Sequence, residues 1–361
     1  MKTTQALQQM GQSLWLDNIT RELLDQGALE RYIRELSITG LTSNPTIFDE
    51  AMGGGSAYDE GIRSKAKAGL SGEDLFMELA LEDLRRAADL FRATFDATAG
   101  ADGWVSMEVS PLLASDTKAS IAAATRIHER AQRANLFVKI PGTPQGVPAI
   151  EESIFNGVPV NVTLLFSCEQ YLAAAEAYLR GIERRLASGR NPRVASVASL
   201  FVSRWDKAVA AKVPVELRNR LGIAMAQRTY RAYRELLASP RWAKLHAAGA
   251  LAQRLLWAST GTKDPNASPT LYVEALAAPD TIDTMPEKTL HALADHGQLG
   301  KVMPVDGGDA ESMLARFGRA GIDIDALAAQ LQREGAESFV KSWQELLMRI
   351  ADKSAKLTRA V

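Results

Sequence analysis

Residues 136–166 read LFVKIPGTPQGVPAIEESIFNGVPVNVTLLF. The segment opens on an apolar run, LFVKIP (136–141), and closes on another, PVNVTLLF (159–166), with a stretch of helical period between them. Short runs rich in β-branched and aromatic residues, separated by amphipathic helix, are the signature of parallel strands joined by crossover helices. The pattern recurs outward in both directions. SLWLDNI (13–19), SITGLTS (37–43) and VSMEVS (105–110) precede the segment, and RVASVASLFV (193–202), RLLWAST (254–260) and DTIDTM (280–285) follow it. Eight strands, each followed by helix, predict an α/β fold of the (β/α)8 TIM barrel type in preference to a doubly wound sheet. No Gly-rich dinucleotide turn and no Walker sequence argues for the alternative.

The helices carry their own start signals. Ser167 with Gln170 and Ser71 with Asp74 have capping-box spacing, and Ser115 or Asp116 can cap IAAATRIHERAQRA. Long helices are expected from Ser71 to about Thr98 and from Leu217 to Leu237. The barrel spans about 13–297 of a single domain covering 1–361, with further helices at both ends. Residues 298–361 form a C-terminal extension in which IDALAAQL and FVKSWQELLMRIADK read as helices. Gly53, Gly54 and Gly55 mark a mobile loop.

Composition limits the function. Lys and Arg number 42 against 43 Asp and Glu, a formal charge of -1, which gives no global field for nucleic acid or an anionic membrane. No apolar run approaches a membrane span, and MKTTQALQQMGQ lacks the apolar core of a secretory signal. The single cysteine, Cys168, fits a reducing compartment, so a cytoplasmic protein is expected. His128, His246, His291 and His296 fall in helical stretches without metal-ligand spacing, and no metal is expected.

In a barrel strand alternate residues face the interior, and catalytic groups collect at the C-terminal strand ends. The informative residues are therefore costly polar groups within apolar strands. Lys139 shares a face with Phe137, Glu108 with Ser106 and Ser110, and Asp17 with Trp15 and Ile19. Together they supply an amine nucleophile and two carboxylates able to move protons; singly, a snorkelling lysine accounts for Lys139 equally well, and ion pairs or helix caps account better for the two carboxylates. Asn161 and Thr163 alternate with Val160, Val162 and Leu164, and Asn44 closes the second strand before a proline. Their amides and hydroxyl suit substrate hydroxyls or a water, turn chemistry and buried hydrogen bonds being the plainer readings. Ser199 with Arg204 and Ser259 with Lys263 end the sixth and seventh strands, where barrels often bind phosphate.

Taken in order, LWLDNIT, GLTSNPTIF, VSMEVSP, NLFVKIPGT, PVNVTLLFS, SLFVSRWD and LLWASTGTKDP resemble transaldolase, in its longer bacterial and plant-like subgroup. The resemblance covers nearly the whole chain; single motifs are shared with the smaller fructose-6-phosphate aldolases. It implies a class I aldolase mechanism without metal or organic cofactor, acting on sugar phosphates in the non-oxidative pentose phosphate pathway. It assigns Lys139 to the Schiff base, Glu108 to acid/base work through a water, and Asp17 to proton acceptance in carbon–carbon cleavage. By the same resemblance, Asn44 and Asn161 hold the dihydroxyacetone unit, Thr163 the water, and Ser199 and Arg204 the substrate hydroxyls and phosphate. Many transaldolases place a second phosphate-binding arginine after the seventh strand. Here that segment reads ASTGTKDP, and Lys263 is the substitute. Three further readings share some of these residues: an aldolase releasing dihydroxyacetone, a barrel glycosidase using Asp17 and Glu108, and a sugar-phosphate-binding protein.

Overall fold

The computed structural model describes residues 2–359. Its eight strands are β1 (Ser13–Asp17), β2 (Ile38–Thr42), β3 (Val105–Glu108), β4 (Leu136–Pro141), β5 (Val160–Leu165), β6 (Ser196–Phe201), β7 (Gln253–Ala258) and β8 (Ile282–Met285). All pair in parallel, in the order β2-β1-β8-β7-β6-β5-β4-β3. The two ends of that order meet across a short seam. Gly103 N donates to the Thr39 carbonyl (3.0 Å), Leu41 N to the Trp104 carbonyl (2.9 Å), and Ser43 Oγ to the Ser106 carbonyl (2.8 Å). Gly40 lets the seam close: a Cβ there would lie 2.7 Å from both the Trp104 carbonyl and the Trp15 indole. The predicted (β/α)8 barrel is the fold observed.

Strand alternation divides the apolar residues into two cores. Trp15, Trp104, Phe137, Val197, Leu256 and Ile282 fill the interior, with the Trp104 and Phe137 rings stacked at 4.0 Å. Leu14, Leu16, Val105, Met107, Val138 and Ile140 face outward and join the helices in the larger core. Burial on both faces explains why the strands read as nearly continuous apolar runs.

Ser167 closes its capping box with Gln170, and Asp116 accepts from Ala119 N (2.9 Å). Ser71 caps by position alone. The first residue of its helix, Gly72, has φ 52°, which takes the N3 amide out of reach of the Ser71 hydroxyl. That helix ends at Leu90, and a short one, Arg92–Ala97, follows the buried Phe91. The helix expected from Leu217 begins at Leu221, where Asp206 accepts from the amides of Leu221 (2.8 Å) and Gly222 (3.1 Å).

The tail differs most from its sequence reading. The two expected helices are one, Ile324–Arg359, running unbroken through Gly335. It crosses the C-terminal ends of the strands. Gln332 Nε2 reaches the carbonyls of Gly142 and Leu164 (3.0 Å each), and Arg349 forks onto Asp49 (2.7 and 3.2 Å). Lys353 Nζ binds Asp59 (2.7 Å) and the Gly55 carbonyl (2.9 Å). The triple glycine is therefore tethered by the tail helix. Among the described residues no helix is long and apolar enough to cross a membrane.

Candidate active site

Strand register sets the floor of the site. Glu108 on β3 lies beside Lys139 on β4, and Lys139 beside Asn161 on β5. Lys139 Nζ donates to the Ser43 carbonyl (2.9 Å) and stands 3.7 Å from Glu108 Oε2. Both side chains are buried, at 6% and 4% exposure. An ion pair this dry persists only where the charges compensate each other. Burial pushes the Glu108 carboxyl above its ordinary range, and the Lys139 ammonium opposes that rise. Among the described residues neither Glu108 oxygen has a hydrogen-bond partner, nor does the buried Thr163 hydroxyl.

Asp17 ends β1. Burial raises its carboxyl too, against the nearby charge of Lys139 and the hydrogen bond from Thr42. Thr42 Oγ1 lies 2.9 Å from Asp17 Oδ1 and 2.8 Å from Thr284 Oγ1. Asn161 is held on both sides: its Nδ2 donates to Ser106 Oγ (3.1 Å) and its Oδ1 accepts from Ser199 Oγ (2.7 Å). Asn44 Oδ1 accepts from Ile47 N (3.1 Å) and caps the helix Pro45–Gly53, leaving its amide N–H groups free of that task.

A cavity of about 710 Å³ opens above this floor. Eight of the ten residues singled out in the sequence line it: Asp17, Asn44, Lys139, Thr163, Ser199, Arg204, Ser259 and Lys263. Glu108 and Asn161 stand behind the wall, reaching the cavity through Lys139 and Ser199. Arg204 has its guanidinium carbon 5.2 Å from the Phe201 ring and 5.9 Å from the Phe339 ring. Among the described residues it has no carboxylate within 4.0 Å, which leaves its fork available to an anion. Ser259, at φ 57°, shares a 3.0 Å hydroxyl contact with Ser203.

Some pleat-based expectations stop short. Ile19 packs into the outer core, and Ser110 lines a surface pocket with Met77 and Ile127, because both lie beyond the last paired residue of their strands. Leu164 was expected opposite Thr163. At φ 59° it turns into the interior core, where the β5–β6 register shifts as in a bulge. Burial pushes the Cys168 thiol up to about 11, so it is filler and not nucleophile. No group of three or more His, Cys, Asp or Glu among the described residues is placed to hold a metal ion.

Other contributors escape sequence reading. Thr42 and Thr284 occupy inward positions on β2 and β8, a placement that period-two counting could have found. The Ser43 carbonyl could not be foreseen, nor could Leu331, Glu334 and Phe339, which the tail helix brings to the cavity wall. Gly335 makes their approach possible, since a Cβ there would lie 2.9 Å from Leu164 Cδ2 and 3.3 Å from Arg204 Nη1.

Comparison with known proteins bears on this arrangement. The model of the transaldolase/fructose-6-phosphate aldolase family matches residues 14–350, which takes in the eight strands except Ser13 and most of the tail helix. The chain belongs to this family. It is 44% identical to a transaldolase of Saccharopolyspora erythraea over 355 residues, 96% of each chain. A transaldolase of Thiobacillus denitrificans is 44% identical over 358 residues, 97% of this chain and all of that one. Transaldolase 2 of Nostoc punctiforme is 40% identical over 367 aligned positions, 96% of each. The family is enzymatic, and a Schiff base on a barrel lysine is its general mechanism.

Proposed function

We propose that this chain is a transaldolase, moving a dihydroxyacetone unit from sedoheptulose 7-phosphate to glyceraldehyde 3-phosphate and giving erythrose 4-phosphate and fructose 6-phosphate. The observation that carries the reading is the buried Lys139 amine at the foot of the cavity, 3.7 Å from Glu108 and on the same wall as Asp17. Lys139 attacks the C2 carbonyl of the ketose phosphate. Glu108 and Thr163, whose buried oxygens lack protein partners among the described residues, hold a water through which protons move as the carbinolamine loses water. The protonated imine draws electrons from the C3–C4 bond. Asp17 takes the C4 hydroxyl proton, the bond breaks, and an aldose phosphate leaves. The remaining enamine attacks the new aldehyde and the steps reverse.

Asn44 and Ser199 orient the dihydroxyacetone hydroxyls, and Asn161, fixed by its bonds to Ser106 and Ser199, acts on them through Ser199. Arg204 and Lys263 receive the phosphate, with Ser259 between their two segments. Every step is made with side chains, so no organic cofactor or metal is required. Sugar phosphates of central carbon metabolism place the enzyme in the cytoplasm, in the non-oxidative pentose phosphate pathway.

Borohydride trapping with fructose 6-phosphate, followed by intact mass and peptide mapping, tests the mechanism. A dihydroxyacetone adduct on Lys139 is expected. Active, folded protein without an adduct would discard the Schiff base and move the glycosidase reading forward, although that reading leaves Lys139 without a role. Inactive, folded protein without one would favour a binding protein. Release of free dihydroxyacetone without an acceptor would mark an aldolase.

A further inference from the structure

Asp283 is a fully buried acid outside the chemistry above. Asp283 sits in β8 between Ile282, which faces the interior core, and Thr284, which lines the cavity, so Asp283 faces the helical layer. Its Oδ1 is 2.8 Å from Thr260 Oγ1, and its Oδ2 has no hydrogen-bond partner among the described residues. The same Thr260 hydroxyl is 3.0 Å from the Thr284 carbonyl. A threonine hydroxyl has one proton, which cannot satisfy a carboxylate and a carbonyl together. A neutral carboxyl removes the conflict: Asp283 donates to Thr260, and Thr260 donates to the Thr284 carbonyl. Burial acts in the same direction, pushing the Asp283 carboxyl up to about 7.

Thr260 lies between Ser259 and Gly261, which both line the cavity, and Lys263 follows at the same wall. Ser259 holds φ 57°, a conformation that costs a non-glycine residue about 1 kcal/mol or more and must be fixed by its surroundings. Gly261 lies close over Pro286, the residue after β8, where a Cβ would be 3.1 Å from the proline ring. The Thr260 bonds are thus the polar fastening of this segment to β8.

We propose that Asp283 is a positioning residue for the phosphate end of the cavity: as a hydrogen-bond donor to Thr260, it keeps the Ser259–Lys263 segment seated on β8. The proposal rests on the transaldolase reading, in which Lys263 meets the phosphate.

The test uses the full chain and separates phosphate binding from Schiff-base formation. Steady-state transfer from fructose 6-phosphate reports on the first, and borohydride trapping of unphosphorylated dihydroxyacetone on Lys139 on the second. Thr260→Val and Asp283→Leu are expected to raise KM for fructose 6-phosphate about ten-fold with kcat within about three-fold. Asp283→Asn retains an N–H donor and should stay within about two-fold of the wild type. All three should trap dihydroxyacetone at the wild-type rate. The proposal is overturned if Asp283→Asn is impaired as much as Asp283→Leu, if Thr260→Val leaves KM unchanged, or if Thr260→Val lowers kcat and trapping together. Failure of the wild type to trap dihydroxyacetone would overturn the transaldolase reading itself.

Discussion

Replacing Lys139 with methionine should abolish transfer, and it should also make stability depend on pH in a way the structure quantifies. At 3.7 Å and an effective dielectric of ~20, the attraction between Lys139 and Glu108 is about 4–5 kcal/mol. Without the ammonium, Glu108 either keeps its buried charge and forgoes that attraction or takes up a proton. Protonating a carboxyl with an unfolded-state pKa of about 4.3 costs about 3.7 kcal/mol at pH 7 but only about 1 kcal/mol at pH 5. Proton uptake is cheaper at both, so the variant folds with Glu108 neutral. A carboxyl raised in the folded state contributes stability that is lost as pH rises, and burial already raises Glu108 in the wild type. The variant's deficit relative to the wild type therefore grows by up to about 2.7 kcal/mol between pH 5 and pH 7. Relief of lysine desolvation adds a term that does not vary over this range. Thermal midpoints of both proteins at the two pH values check the claim. A Lys139→Met/Glu108→Gln double variant should lose the added pH dependence. An equal deficit at pH 5 and pH 7 would refute the reasoning.

Three further outcomes are expected. Arg204→Ala should raise KM for fructose 6-phosphate at least about ten-fold while dihydroxyacetone still traps on Lys139, because the guanidinium proposed to fork onto the phosphate has no carboxylate partner among the described residues; unchanged phosphate dependence in the kinetics would reassign the site. Gly40→Ala drives a methyl group against the Trp104 carbonyl and the Trp15 indole, both 2.7 Å away. It should cost about 1–3 kcal/mol or prevent folding, read as thermal midpoint and soluble yield. Arg349→Ala removes a half-exposed pair with Asp49 worth under about 1 kcal/mol, yet limited proteolysis should cut faster at Gly53–Gly55, whose tether it weakens. An unaltered cleavage rate would show that Lys353 holds the loop alone.

The barrel was legible because parallel strands buried on both faces must be apolar nearly throughout. Lys139, Glu108, Asp17 and Asn161 then stand out as costly exceptions. What failed to show belongs to contacts between distant segments or to chain beyond the ladders. Ile19 and Ser110 follow the period-two count on paper, but past the last paired residue no sheet remains to enforce it. The Leu164 bulge is invisible in PVNVTLLF, since nothing in an apolar run marks which residue takes a positive φ. The tail read as two helices because Gly335 weakens helical propensity by about 1 kcal/mol. Close approach of the helix to Leu164 and Arg204 at that residue outweighs the loss.

The two carboxylates of the site are both buried and both raised, yet their surroundings differ in a way that sorts their proposed roles. Thr42 has one hydroxyl proton. With an ionised Asp17 as its acceptor, Thr42 must receive its contact with Thr284 as a donation, so the chain of hydroxyls points one way, from Thr284 through Thr42 to Asp17. A proton arriving at Oδ2 leaves this chain as it stands, because Oδ1 still accepts from Thr42. Asp17 can therefore take up a proton at its other oxygen without rearranging its partners, and burial, which raises this carboxyl, favours that uptake. Glu108 has no such chain: among the described residues both of its oxygens lack hydrogen-bond partners, and the strongest charge acting on it is that of Lys139, the proposed nucleophile. Once Lys139 enters an uncharged carbinolamine, the largest compensating charge disappears, and burial, which is the main influence on the Glu108 carboxyl, raises its affinity for a proton. Imine formation restores a positive charge 3–4 Å away by the same lysine geometry, on the order of 4 kcal/mol at an effective dielectric of ~20, and favours its release. A group whose proton affinity rises and falls with the state of Lys139 is suited to shuttling protons during Schiff-base formation, while the fixed acceptor, Asp17, is suited to the cleavage step.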